Sequence, residues 1–387
     1  MDYLMNTYAR LPVNLVRGKG CLVWDDKGKC YLDMVAGIAV CSLGHCHPAV
    51  VEALTTQARE LFHCSNLYSI PQQARLARLI SENTFDGKVF FCNSGAEANE
   101  AAIKLVRRYY NKKPGHKTKI ITMEGSFHGR TLATVAATGQ ARFKLGFAPM
   151  PAGFVTVAFG NINALEAAID DKTAAVMLEP IQGESGIQVP PPGYLKQVRD
   201  VCDNHNLLFV ADEIQTGCSR TGKLFAYMYE DADPDIMTMA KALANGFPVG
   251  AVIAKPEVAS AFGPGNHAST FGGNPLAMSA GIATLNTMID EDIPDSSLQK
   301  GLYLRQCLGE LKKVHPSITE VRGKGLMVGV EFDTDISFMP MEGLTKGIML
   351  NVIKGHILRL VPPLIISTAE IDRAVDIIDT MLKEKGI

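Results

Sequence analysis

At 387 residues the chain exceeds one comfortable hydrophobic core, and a formal net charge of −2 excludes electrostatic capture of nucleic acid or anionic lipid as its main activity. With 47% hydrophobic and 20% charged residues it has the composition of an ordinary globular protein. Nine cysteines without a CxxC pair exclude a disulfide framework, and no apolar run reaches the roughly 20 residues of a membrane helix, so reduced thiols in a cytoplasmic protein are expected.

Met1 to Val35 reads as an arm followed by a hairpin, with Cys21–Trp24 and Cys30–Leu32 around the turn Asp25-Asp26-Lys27-Gly28. Asp2 and the lack of an apolar core before Arg17 argue against a signal peptide. From Pro48 to Phe62 the apolar positions Val50, Val51, Leu54, Ala58 and Leu61 recur at helical spacing. Alternation then begins: a strand at Lys88–Cys92, a helix over Ala96–Tyr110, and a strand at Thr118–Met123. Ala174–Leu178 and Leu207–Val210 are nearly continuous apolar runs, the pattern of strands covered on both faces, with a helix over Gly193–Asn204 between them. The alternation predicts an α/β fold whose large domain has a mainly parallel sheet flanked by helices. After about Ile289 the character changes. A helix over Ser297–Lys313, a Gly-rich strand pattern over Gly323–Glu331, the strand Ile357–Val361 and a final helix from Thr368 predict a smaller α+β domain, with a boundary near 290–295.

Five segments can carry chemistry. Asn93-Ser94-Gly95-Ala96-Glu97 lies between a strand and a helix. Ser94 can cap that helix, and Gly95 permits close approach to its free amides, an arrangement suited to phosphate, although alone it reads as a plain capping box. In Gly125-Ser126-Phe127-His128-Gly129-Arg130, Phe127 can stack on a flat ring and Arg130 can pair with a carboxylate, or the two can be a core aromatic and a surface charge. Asp212 ends the run Leu207–Val210 and begins Asp212-Glu213-Ile214-Gln215; ligands of open α/β sheets bind at such strand ends. Lys241 follows the apolar run Ile236–Met239 in an otherwise uncharged stretch, where desolvation would lower its pKa. His267 to Pro275 is a hydroxyl- and glycine-rich loop whose Thr270 can reach a phosphate oxygen or sit in a solvated turn.

An amine and a carboxylate delivered from two strand ends are what pyridoxal 5'-phosphate chemistry requires. The amine (Lys241) bonds the aldehyde, and the carboxylate (Asp212) keeps the ring nitrogen protonated. Gln215 could donate to the ring's phenolic oxygen, and Ile214 could pack on the face opposite Phe127. His45-Cys46-His47 has no second cluster at ligand spacing, so no metal is expected. Gly18-Lys19-Gly20 and Gly323-Lys324-Gly325 are too short to be nucleotide loops.

In this order the segments resemble the class III, fold-type I pyridoxal phosphate aminotransferases, together with Tyr31-Leu32-Asp33, Ser42 to Pro48, Glu179 to Glu184 and Leu358 to Leu364. The resemblance implies a fold-type I transferase in which residues 1–50 are arm, hairpin and part of the small domain, 51–289 the large cofactor-binding domain, and 290–387 the C-terminal small domain. It implies that Lys241 holds the cofactor covalently, that Asp212 pairs with its pyridinium, and that Ser94, Gly95 and Ala96 hold its phosphate. Thr270 would be supplied by the partner subunit of a homodimer with shared active sites. Substrate contacts would fall to Arg130, Ser269, Arg359, Glu184 and Ile38, with Glu184 covering Arg359 when a cationic amine is bound. Apolar Ile38 is similar to the members acting on acyl-ornithines, where those acting on free ornithine have tyrosine. The implied reaction moves the terminal amino group of N2-acetyl-L-ornithine to 2-oxoglutarate, giving glutamate, in arginine biosynthesis. Succinylornithine, ornithine or another ω-amine as donor, an aminomutase on the same fold, and a non-catalytic binding protein are the alternatives. Cys41 stands where the family often has Asn, and Cys218-Ser219 replace a more usual Val-Gly before Arg220.

Overall fold

The computed structural model describes residues 3–113 and 115–387; Met1 and Asp2, the start of the expected arm, and Pro114 lie outside the described residues. An exposed arm leads into β1 (Leu15–Lys19), β2 (Leu22–Asp25) and β3 (Cys30–Asp33). The β2–β3 turn forms because Asp25 Oδ1 accepts the amides of Lys27 and Lys29 at 3.0 and 2.8 Å, while Gly28 takes a φ of 83° that a side chain would resist.

β4 (Lys88–Cys92), β5 (Lys119–Met123), β6 (Phe154–Val157), β7 (Thr173–Leu178), β8 (Leu208–Asp212), β9 (Ile236–Met239) and β10 (Gly250–Ala254) form one seven-stranded sheet of order β4-β10-β9-β8-β7-β5-β6. β5 to β9 pair in parallel, and β10 runs antiparallel to both β9 and β4. Six strands therefore end at the same edge. β7 to β10 are buried at every position, which accounts for their unbroken apolar character. Alternate residues of β7 feed two cores. Val176 and Leu178 join Tyr194, Leu195 and Val198 of the helix Tyr194–Asn204, whereas Ala175 and Met177 join Ala98, Ala102 and Val106 of the helix Gly95–Asn111.

The C-terminal part contributes β11 (Ile318–Lys324), β12 (Met327–Phe332), β13 (Ile348–Met349), β14 (Asn351–Ile353) and β15 (Ile357–Leu360). Four form an antiparallel sheet of order β11-β12-β15-β14, while β13 pairs in parallel with β3 and joins the N-terminal hairpin to the C-terminal part. The stretch Gly323–Glu331, read as a single strand pattern, is instead the end of β11, a turn and β12. Gly325 (φ 54°) makes that turn, and a Cβ there would sit 2.4 Å from the backbone carbon of Thr221. Helices Ile293–Val314 and Thr368–Lys385 cover this part. The elements not anticipated include the helices Pro71–Glu82 and Pro275–Asp290, and the strands β6, β14 and the reversed β10. The predicted helix from Pro48 ends at Ala58, short of Phe62. Arg220, fully buried, donates to the carbonyls of Leu326 (3.0 Å) and Pro362 (2.6 Å) and to Ser42 Oγ (3.1 Å), tying three distant segments together; burial lowers its pKa to about 9. Among the described residues no helix is long and apolar enough to cross a membrane.

Candidate active site

The shared edge of the parallel strands opens onto a cavity of about 370 Å³. Segments following β4 (Asn93 to Ala96), β5 (Phe127 to Arg130), β7 (Glu179), β8 (Asp212, Ile214, Gln215) and β9 (Ala240, Lys241) line it, as strand-end binding in open α/β sheets requires. Val40, Phe247, Pro248 and Val249 add apolar wall. Lys241 and Asp212, 29 positions apart in the chain, thus face one small chamber, because Asp212 pairs with Thr238 in the β8–β9 register.

Asp212 is 3% exposed and tightly held. Its Oδ2 lies 2.7 Å from His128 Nδ1 and accepts Asn99 Nδ2, also at 2.7 Å; its Oδ1 accepts the Ile214 amide at 3.2 Å. Asn99 also donates to the His128 carbonyl at 2.7 Å, so the three residues form one buried unit. Lys241 has a φ of 42°, an uncommon backbone for a lysine, at the start of the turn Lys241–Ala244. Burial lowers its pKa below the ordinary lysine value, partly offset by Glu184, Glu179 and Asp212. Glu179 accepts the Phe127 amide (2.8 Å) and the Gly183 amide (3.1 Å), and burial raises its pKa.

The helix Gly95–Asn111 starts as anticipated, with Ser94 Oγ accepting the Glu97 amide at 3.2 Å. Glu97, however, reaches back to the amide of Asn93 (2.6 Å), one residue before the cap, so the expected capping box is displaced by one position. The amides of Gly95 and Ala96, first in the helix, have no intrahelical acceptor and can serve an anion. A Cβ on Gly95 would stand 2.9 Å from Ile214 Cδ1, so glycine there lets Ile214 sit against the helix start. On another wall, Arg130 is exposed and lies over Phe143 (4.3 Å) and Phe127 (5.5 Å). Gln215 packs on Gly183; its Oε1 is buried without a partner among the described residues, as are His128 Nε2 and Asn99 Oδ1.

Ser94, Gly95, Ala96, Phe127, Arg130, Asp212, Ile214, Gln215 and Lys241 therefore share one cavity. Arg359 and Glu184 stand beside it as an ion pair of 2.6 Å, with Gln215 Nε2 3.4 Å from Glu184 Oε1. Burial would raise the Glu184 pKa, but Arg359 and Lys241 hold it below the usual range. Three other expected residues lie further from the cavity lining. Ile38 is 37% exposed in a left-handed turn with positive φ at Ala36, Gly37, Ile38 and Ala39, and its neighbour Val40 lines the wall instead. Ser269 and exposed Thr270 line an adjoining cleft, where Ser269 Oγ accepts Asn93 Nδ2 at 3.1 Å. Sequence reasoning gave no role to Asn99, His128 or Glu179. Glu179 follows a buried strand as Asp212 does, and the same signal could have found it; the other two become visible only through the fold.

The family model described as Aminotransferase class-III matches residues 3–382. The acetylornithine aminotransferase of Caldanaerobacter subterraneus subsp. tengcongensis is 55% identical over 384 residues, covering 99% of this chain and 98% of the relative. The ornithine aminotransferase from Toxoplasma gondii, whose crystal structure has pyridoxal phosphate at partial occupancy in its active site, superposes with a TM-score of 0.94 at 36% identity, covering 98% of this chain and 91% of that one. The acetylornithine aminotransferase from Elizabethkingia anophelis superposes with a TM-score of 0.88 at 35% identity, covering 99% and 96%. With that match across nearly its whole length, and an amine and a held carboxylate facing one chamber, the chain belongs to the class III, pyridoxal-phosphate-dependent aminotransferases.

Proposed function

We propose that this chain moves the terminal amino group of N2-acetyl-L-ornithine to 2-oxoglutarate, giving N-acetyl-L-glutamate 5-semialdehyde and glutamate. The observation that carries the chemistry is the single cavity shared by Lys241 and Asp212. The acetylated substrate is supported by the name of the relative at 55% identity.

The residues present fit pyridoxal phosphate. The chamber is narrow and apolar-walled, Gly95 brings the helix amides close, and the orphaned Gln215 Oε1 marks a buried polar position awaiting a partner. When bound, the cofactor supplies an aldehyde that accepts the amino group and a protonated ring that accepts the electron pair. Ser94, Gly95 and Ala96 would hold its phosphate, Phe127 and Ile214 its two faces, and Asp212 its ring nitrogen. Lys241 Nζ, whose pKa burial lowers, would hold the cofactor through its aldehyde and would serve as the base that moves a proton at the substrate carbon. Arg130, without a carboxylate partner among the described residues and open to solvent, is suited to a substrate carboxylate. Arg359, released from Glu184, would bind the second carboxylate of 2-oxoglutarate or glutamate; the closed pair would suit the amine donor. Ser269 and Thr270, outside the chain's own cavity, are assigned to the neighbouring site of a homodimer. Residues 1–50 and 290–387 would form the small domain against a large domain over 51–289.

Half-reactions with acetylornithine, succinylornithine and ornithine, followed through the visible band of the bound cofactor, test the reading. Acetylornithine should react fastest. A faster reaction with ornithine would move the assignment to a free ω-amine, and turnover without 2-oxoglutarate would indicate an aminomutase.

A further inference from the structure

The left-handed turn at Ala36–Ala39 is strained. Three of its four residues carry a Cβ, and Ile38 (φ 64°) is β-branched, a side-chain type that tolerates this backbone poorly. Strain of this kind persists only where the surroundings over-determine it, and it collects at functional sites.

Two clamps hold the turn. Before it, Asp33 is 1% exposed, and its Oδ1 accepts the amides of Val35 and Ala36, each at 2.8 Å. Asp33 Oδ2 lies 2.7 Å from His45 Nε2. His45 is itself fixed by two backbone hydrogen bonds with Gly20, of 2.8 and 3.0 Å. A Cβ on Gly18 would stand 2.6 Å from the His45 Cβ, so β1 lies directly against it. After the turn, Asn245 Oδ1 accepts the Leu43 amide at 2.8 Å, and its Nδ2 donates to the Gly44 carbonyl at 3.0 Å. Asn245 closes the turn that Lys241 begins, so this clamp ties the strained segment to the amine's own loop.

Ala39 is buried with Ile181, Ile187, Met327 and Val361. Val40, the next residue, is what the turn delivers to the cavity, where Phe247, Pro248 and Val249 continue the apolar wall. An ammonium laid against these four side chains loses water that none of them replaces, whereas an acylated nitrogen has no charge to desolvate.

We propose that Val40 is a specificity-determining residue for the amine donor, disfavouring a free α-ammonium and accepting an acylated nitrogen, and that Asp33 and His45 are positioning residues that hold it in the wall. The inference rests on the transaminase reading above.

The test measures kcat/KM for ornithine and N2-acetylornithine with the holoenzyme, and compares their ratio in each variant with that of the unaltered chain. Val40→Asp offers a carboxylate to the free α-ammonium and should raise the ornithine-to-acetylornithine ratio at least about tenfold. Val40→Asn, without the charge, should raise it less. An unchanged ratio in Val40→Asp overturns the role of Val40, whichever donor the unaltered enzyme prefers. His45→Ala should raise the KM for acetylornithine about fivefold or more and leave the KM for 2-oxoglutarate within about twofold. His45→Gln, whose amide can take the place of Nε2 beside Asp33, should restore the donor KM. A His45→Ala enzyme with a lowered melting temperature and an unchanged donor KM has lost only a structural bond, which overturns the positioning role. Should that variant fail to fold, His45→Asn, whose shorter amide falls short of Asp33, is read in the same way. A preference of the unaltered enzyme for ornithine would count against the proposed donor without touching these comparisons, so the two can fail separately. Reaction with neither donor would end both.

Discussion

His128 Nδ1 and Asp212 Oδ2 lie 2.7 Å apart, 84 positions distant in the chain, with neither side chain more than 3% exposed. Asn99 binds the same oxygen. The carboxylate is thereby oriented before any cofactor arrives, as electrostatic stabilisation of a charged ring requires. Asn99→Leu removes one charge-assisted hydrogen bond, about 1.5–3 kcal/mol. If that bond acts on the reacting state, kcat should fall roughly ten- to a hundredfold. Steady-state kinetics beside a melting curve check this. An unchanged kcat in a folded variant would leave the bond a purely structural part.

Arg130 stands at the cavity wall with aromatic rings against its guanidinium and, among the described residues, no carboxylate ion-paired with it. Arg130→Ala should raise the KM of a carboxylate substrate by an amount corresponding to about 1.5–3 kcal/mol, with a smaller effect on kcat. Because the residue is exposed, stability should change little. Unchanged KM values for both substrates would remove Arg130 from the site.

Glu213, next to Asp212, is 1% exposed and accepts the Tyr227 amide at 2.8 Å. Burial raises its pKa to about 7 from an ordinary 4.5. The folded protein therefore binds this proton more tightly than the unfolded chain. The resulting stability is fully present below pH 4.5 and is lost as the pH rises through 7; it amounts to about 3 kcal/mol. Glu213→Gln should flatten the dependence of melting temperature on pH across that window. An unaltered slope would show that this carboxyl is not the titrating group.

Much of the seven-stranded sheet was legible because strands such as Thr173–Leu178 and Leu208–Asp212 are short, wholly buried runs between helices, and Lys88–Cys92 is also found where expected. The helix Pro275–Asp290 was not, because Ala277, Met278, Ala280, Gly281, Leu285 and Met288 are all buried and leave little polar face to give a period. β10 escaped notice because a reversed strand has no local mark of its direction. Lys241, Asp212 and the Ser94–Ala96 helix start were readable from strand ends and turn chemistry. The His128–Asn99 support of Asp212 depends on pairings between residues that only the folded chain brings together.

The central claim is that the Lys241 amine holds the cofactor in the chamber it shares with Asp212. Borohydride reduction of the holoenzyme followed by peptide mapping tests it most directly. A pyridoxyl group should be found on Lys241, and Lys241→Ala should abolish both that label and turnover. A label on another lysine, or a Lys241→Ala enzyme that still turns over with its visible band intact, would contradict the account.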